Sequence, residues 1–152
     1  MQKLNILNKK ETKKLLAQIE EQWGATLETD CVFLKNEDGK IFIANKEFGT
    51  LDLSRLRINS LGLYIAQEAD DELRLSIEGS QLIGPLATKN VLELNDDEAS
   101  EWLRGTDLDK ATDERGFVLI KNSGDFLGCG KATGNKILNY VPKTRRIAAV
   151  MG

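Results

Sequence analysis

The 152-residue chain has no histidine, two cysteines and two prolines. Without histidine it lacks the commonest general base near neutral pH and the commonest nitrogen ligand for metals. Cys31 and Cys129 are too few for a structural zinc site, which needs several Cys or His ligands. The two thiols could pair, but in a reducing compartment two buried free cysteines are the expectation. No apolar run approaches the roughly 20 residues that cross a bilayer. The start, Met1-Gln2-Lys3-Leu4, lacks the apolar core of a signal peptide. These absences lead to the expectation of a cytoplasmic protein with no membrane partner, no metal and no cofactor.

What is present is ordinary for a globular chain: 41% hydrophobic and 30% charged residues, with a net charge of −3. That length suits one domain or two small ones. Asn8-Lys9-Lys10-Glu11 has the form of a capping box and predicts a helix start. Leu15, Leu16, Ile19 and Trp23 recur at helical spacing, and Gly24 is placed to stop the helix. Lys9, Lys10, Lys13, Lys14, Glu20 and Glu21 occupy its other face, read as a solvated surface. Cys31 to Lys35 and Lys40 to Ala44 flank Asn36-Glu37-Asp38-Gly39, a hairpin signal. Leu51, Leu53 and Leu56 fall in a stretch too short to type. Gly62 to Ala66 reads as a strand, and Leu73, Leu75 and Ile77 alternate with polar residues as a half-buried strand does.

From Gly79 to Pro85 there is room for one turn of helix, read as a link between two units. Val91 to Leu94 is a short strand. Asn95-Asp96-Asp97-Glu98 repeats the capping box, with Ala99, Trp102 and Leu103 as the apolar face of a short helix ended by Gly105. Asp107 to Glu114 is an acidic loop, expected to be mobile. The domain division predicted is an α+β unit over 1–87 and a small β-barrel with short helices over 88–152.

The second unit holds the most informative stretch. Phe117 to Ile120 is β-branched and aromatic, Asn122-Ser123-Gly124-Asp125 supplies turn residues, and Phe126-Leu127 resumes an apolar run. Thr133-Gly134-Asn135 marks a second turn, and Ile147 to Val150 reads as a closing strand. Gly128 and Gly130, two apart in a strand, leave one face without side chains, as a curled, partly closed sheet requires. From Arg115 onward the cations are Arg115, Lys121, Lys131, Lys136, Lys143, Arg145 and Arg146, against one anion, Asp125. A basic end on an acidic chain marks an anionic partner.

These residues carry a family resemblance. Gly116-Phe117-Val118-Leu119-Ile120, then Leu127-Gly128-Cys129-Gly130-Lys131, then Leu138-Asn139-Tyr140-Val141-Pro142-Lys143 followed by Arg145-Arg146, resembles the C-terminal half of a PUA domain. That is the RNA-binding module named from pseudouridine synthases and archaeosine transglycosylases. The pattern is especially similar to the version fused to RNA cytosine-5 methyltransferases, and Trp102-Leu103-Arg104-Gly105-x-Asp107-Leu108 fits it. Upstream, the order of capped helix, hairpin, Asn59-Ser60-Leu61-Gly62, Glu72 to Ile77 and Leu82-Ile83-Gly84-Pro85 looks like the archaeal and eukaryotic large-ribosomal-subunit biogenesis factors. Those pair a pre-PUA domain with a PUA domain.

Each motif also has a plainer explanation. Gly128-Cys129-Gly130-Lys131 is not a P-loop, because the first glycine position is Asp125 and Ala132 follows the lysine. The glycines are read as barrel curvature, to which the resemblance adds a backbone surface accessible to RNA. Asp96, Asp97 and Glu98 are explained as a helix start, not as ligands or an acid/base pair. Lys143, Arg145 and Arg146 are the first candidates for RNA contact, since arginine forks pair with phosphates and lysine adds a point charge. Lys121, Lys131 and Lys136 are the second rank. Tyr140 is a candidate for stacking on a base, or a core residue.

The expectation is therefore a non-catalytic adaptor that binds structured RNA (rRNA or tRNA), acts in ribosome biogenesis and docks ribosome-assembly proteins through its first unit. The alternative is an accessory RNA-binding subunit of a tRNA- or rRNA-modifying enzyme such as a cytosine-5 methyltransferase, with RNA-modification proteins as partners. In that alternative the catalytic machinery, a cysteine motif and an S-adenosylmethionine glycine loop, is not found in the sequence; the remaining class, an enzyme in its own right, is disfavoured by the lack of histidine and of any convergent site. The cations at the end of the chain are expected to share one side of the barrel.

Overall fold

Both predicted capping boxes form, and they fix where two of the helices start. Asn8 Oδ1 accepts from the Glu11 amide at 2.8 Å while Glu11 accepts from the Asn8 amide at 3.0 Å. Asn95 and Glu98 repeat the exchange at the same distances. In this computed structural model, which describes residues 4–45 and 62–147, α1 therefore runs over Lys9–Trp23 and the later helix, α3, over Asp96–Leu103. Gly24 closes α1 in the left-handed region at φ 63. Among the described residues no helix is long and apolar enough to cross a membrane.

The first unit is an antiparallel sheet of β1 Leu4–Ile6, β2 Val32–Asn36, β3 Lys40–Ala44, β4 Leu63–Ala69 and β5 Glu72–Leu75, paired in chain order. The β2–β3 hairpin turns at Gly39, φ 84, and Asn36 Oδ1 accepts from the amides of Asp38 and Lys40. One face of the sheet packs on Leu15, Ile19 and Trp23 of α1. The expectations for Leu51, Leu53, Leu56 and Asn59-Ser60-Leu61 lie outside the described residues, as does the closing strand beyond Ile147.

The segment after β5 differs from expectation. The strand stops at Leu75, and Ile77–Ile83 forms α2, followed by a 3-10 turn at Gly84–Leu86. Ser76 is the reason: its Oγ accepts from the Gly79 amide at 2.9 Å and donates to Tyr64 O at 2.7 Å. Alternation through Ile77 fits a strand, but one hydroxyl bond at residue 76 turns the chain. Gly79 and Ser80, poor helix formers, are buried against β4, and a Cβ at 79 would overlap the Ile65 carbonyl. Close packing outweighs propensity here.

The second sheet comprises β6 Val91–Glu93, β7 Gly116–Asn122, β8 Asp125–Ala132 and β9 Ile137–Leu138, in that order. β6 runs parallel to β7 and the other pairs are antiparallel. With the first sheet and short helices, this is the mixed α+β class with a curled half-barrel that was expected. The Asp107–Glu114 loop is tied down. Leu108 exchanges backbone bonds with Ile137 at 3.0 and 2.9 Å, Thr112 N donates to Gly134 O, and Lys110 meets Glu98 at 3.0 Å. Main-chain pairing holds this loop in spite of its acidic composition.

The units share one core rather than abutting. Leu15, Ile19, Trp23, Phe33, Ile41, Ile65 and Leu73 from the first pack with Phe117, Leu119 and Cys129 from the second. The buried Trp23 indole donates to Phe117 O across the seam at 3.2 Å. The buried residues of a second cluster, around Trp102, Val118, Ile120, Ile137 and Val141, come from the barrel side, and Ile77 of α2 packs against them. Cys31 and Cys129 are free thiols, half-buried and buried.

Candidate nucleic-acid interface

The glycine pair in β8 serves Trp102. The pairing of Ile120 with Gly128 and of Lys121 with Phe126 leaves Leu127 as an extra residue, a bulge that puts Gly128 at φ 142. A Cβ at Gly130 would lie 2.5 Å from Trp102 Cη2 and 2.8 Å from Ile137 Cγ2. Barrel curvature is thus correct, but both glycines are buried. At Gly130 the indole fills the space that the accessible backbone surface was expected to leave open, whereas a Cβ at Gly128 would make only ordinary contacts with Ile77 and Trp102, at 3.7 and 3.9 Å.

Four of the C-terminal cations have different neighbours within the fold. Arg145 donates to Glu78 of α2 at 2.6 Å. Arg146 donates from Nε to Val141 O at 3.0 Å and lies over Gly105, where a Cβ would overlap it. Lys136 is 3.9 Å from Asp109, and Lys121 sits over the Phe126 ring at 5.4 Å. Lys143 is exposed, in the 3-10 turn Lys143–Arg145. Arg145 and Arg146, adjacent in sequence, part because the 3-10 turn ends between them.

A different set of cations does converge, along the seam between the sheets. Lys131 lies over Phe117 at 5.5 Å, and Phe117 meets Tyr140 with ring centroids 5.9 Å apart. Arg74 covers Tyr140 at 4.5 Å. Across the cleft, Tyr64 meets Phe42 at 5.7 Å and carries Lys40 at 5.4 Å. Cations and rings alternate along this line from the second sheet to the first. Lys131 and Tyr140 were sequence candidates; Arg74 and Tyr64 were not. Arg74 lay in an alternating strand as one of its polar positions, with nothing nearby in sequence to mark it. Only pairing of β5 and packing of residues 139–145 bring it over Tyr140.

Between these rings is a cleft of about 140 Å³, lined by Tyr64, Arg74, Glu78, Tyr140, Pro142 and Arg145, with Gly128 and Cys129 also on its wall. Burial pushes the Tyr64 phenol up, and Arg74 beside it pulls partly the other way. Tyr64 is therefore neutral at physiological pH. Burial pushes the Cys129 thiol up to about 12, so it is protonated and no nucleophile. Among the described residues no group of three or more His, Cys, Asp and Glu side chains is placed to hold a metal.

Asn139 holds the wall of the cleft in place. Its Nδ2 donates to the carbonyls of Trp102 and Thr106 at 2.8 and 3.0 Å, its Oδ1 accepts from Val141 N, and its own amide donates to Asp107. β9 ends after two residues because this side chain takes over the pairing. Tyr140, 37% exposed, is presented from that fixed turn.

Known proteins share parts of this sequence and this fold. Residues 89–147 match the family model described as the methyltransferase RsmF PUA domain. Ribosomal RNA small subunit methyltransferase F of Shewanella oneidensis is 27% identical over 136 residues, covering 88% of this chain and 28% of that protein. The protein of the same name from Vibrio cholerae is 25% identical over 141 residues, 91% of this chain and 29% of the relative. The chain thus spans under a third of the length of these relatives. Among solved structures, a conserved PUA domain protein from Thermoplasma acidophilum superposes with a TM-score of 0.60 at 14% identity, over 91% of this chain and 93% of its own. A hypothetical protein from Pyrococcus horikoshii OT3 gives 0.58 at 13% identity, over 91% and 94%. These two share the fold, first unit included.

Proposed function

We propose, from the match of residues 89–147 to the family model of the methyltransferase RsmF PUA domain, that the chain is the RNA-binding part of an rRNA-methylating system and works with a catalytic domain. The observation that carries this reading is the extent of the match. Both units of the chain align with rRNA methyltransferases, yet together they account for only 28% of such a protein. The cation and aromatic line across the seam gives the physical means: charge for phosphates and rings for bases. A free-standing adaptor in ribosome assembly would need the same RNA contact. The relatives favour the methyltransferase setting, with small-subunit rRNA as the ligand.

On this reading the two units share one RNA face, rather than dividing into a protein-docking half over 1–87 and an RNA-binding half over 88–152. The test is binding of the full chain to small-subunit rRNA fragments across a salt series. Affinity should fall steeply with salt, and Arg74→Ala should weaken it for all sequences and flatten the salt slope by about one. Binding that ignores salt, or an Arg74→Ala protein that binds as tightly as its parent, refutes the proposal.

A further inference from the structure

We infer that the groove where the first turns of α1 pass the end of β1 and the start of β2 is a docking site for a protein partner, and that the segment it takes is amphipathic, with carboxylates beside an apolar stripe. Such docking is separate from RNA binding and does not depend on it.

The lining of the groove identifies the partner. In a space of about 680 Å³, Leu7, Leu16, Cys31 and Val32 are half-buried and form the floor, while Lys9, Lys10 and Lys13 are exposed and form the rim. The chain has 24 acidic against 21 basic residues, yet no carboxylate lines this groove. None of the three lysines has an ion-pair partner among the described residues. Their charge is therefore available to an anion.

Folding stability does not account for these lysines. Lys9 and Lys10 are the first two residues of α1, where the helix dipole disfavours cations. Lys9 and Lys13 are like charges four residues apart on one helix face, a second destabilising placement. In the same molecule α3 does the opposite and fills its first turn with Asp96, Asp97 and Glu98. The cationic start of α1 destabilises the free protein, and carboxylates from a partner relieve it.

The floor decides which class of anion. Phosphates and sugars gain nothing from Leu7, Leu16 and Val32, and no aromatic ring lines the groove for a base to stack on. A protein segment with leucine-like side chains at helical spacing and carboxylates along their flank uses both floor and rim. The groove shares no residue with the line of cations and rings at the seam.

The experiment uses the full chain and two labelled peptides of about 15 residues, built from the same leucines, alanines and glutamates. In one the leucines fall at i, i+3, i+4 and i+7; in the other the order is scrambled so that no stripe forms. The striped peptide should bind about tenfold more tightly, as one well-buried leucine would cause, and should slow iodoacetamide labelling of Cys31 on the groove floor. Lys9→Glu, Lys10→Glu and Lys13→Glu together should abolish binding and raise the melting temperature by about 2–4 °C, so that lost binding is not lost folding. Equal binding of the two peptides, or none, overturns the docking site, and so does tight binding that leaves Cys31 as reactive as before. If the triple variant loses affinity for a single-stranded RNA in the same proportion as for the peptide, the lysines serve RNA and the docking site is again overturned.

Discussion

Two basic regions of this molecule resemble each other in composition and differ in what happens to their charge. At the end of the chain, Arg145 is spent on Glu78 and Arg146 on a carbonyl over Gly105. Along the seam, Arg74 and Lys131 rest on Tyr140 and Phe117. An ion pair cancels a charge, whereas a ring face positions one and leaves it able to bind an anion. The contrast separates arginines whose donors the fold already uses, Arg145 and Arg146, from Arg74, which a ring positions.

The most severe way to break the comparison is to pull its two regions apart by packing. Gly79→Ala drives a Cβ into the Ile65 carbonyl and lifts α2 from the seam, while Gly130→Ala pushes on Trp102, which anchors the chain end through Asn139. Each should cost about 1–3 kcal/mol, measured as a shift of the denaturant midpoint at constant m-value. Next in size are the arginines. Arg74→Ala should lower RNA affinity several-fold, and Arg145→Ala should lower it less, because Glu78 already offsets that charge. Equal losses, read from binding isotherms at one salt concentration, would erase the distinction between the regions.

A subtler probe tests whether the seam is closed beneath the cleft. With its thiol pushed up to about 12, Cys129 is on the order of one part in ten thousand thiolate at pH 8. Iodoacetamide should label the half-buried Cys31 in the native protein and reach Cys129 only on unfolding, as mass spectrometry of the peptides would show. The smallest effect is electrostatic. Burial pushes the Glu114 carboxyl above its usual 4.5, so the folded state holds that proton more tightly than the unfolded chain does. Its contribution is favourable below pH 4.5 and lost as pH rises through the folded value. Glu114→Gln should therefore gain melting temperature relative to the parent on going from pH 4 to pH 7; a constant difference would contradict it.

Much of the fold was legible because it depends on local chemistry. Asn8 with Glu11, Asn95 with Glu98, and Gly24 mark helix ends through bonds made within a few residues. The hairpin at Asn36 to Gly39 is equally local. Ser76 was the exception, since it ends a strand and starts a helix by contacts with Gly79 and with Tyr64 on another strand. The acidic loop from Asp107 misled for a related reason: its composition favours solvent, and its anchor, Ile137, is far along the chain.

The candidate site was half legible. Lys131 and Tyr140 stood in a motif quoted from the sequence, and the structure places them in one line of cations and rings through Phe117. Gly128 and Gly130 were correctly tied to curvature, but the sequence held no sign of which side chain would fill the space. Arg74 and Tyr64 had no local signal. What the order of residues determined by itself was where helices begin, which strands are half-buried and which module the second unit resembles, because those follow from bonds between near neighbours. Which cations stay free was decided only in three dimensions, because a charge is cancelled or kept according to what the folded chain puts beside it.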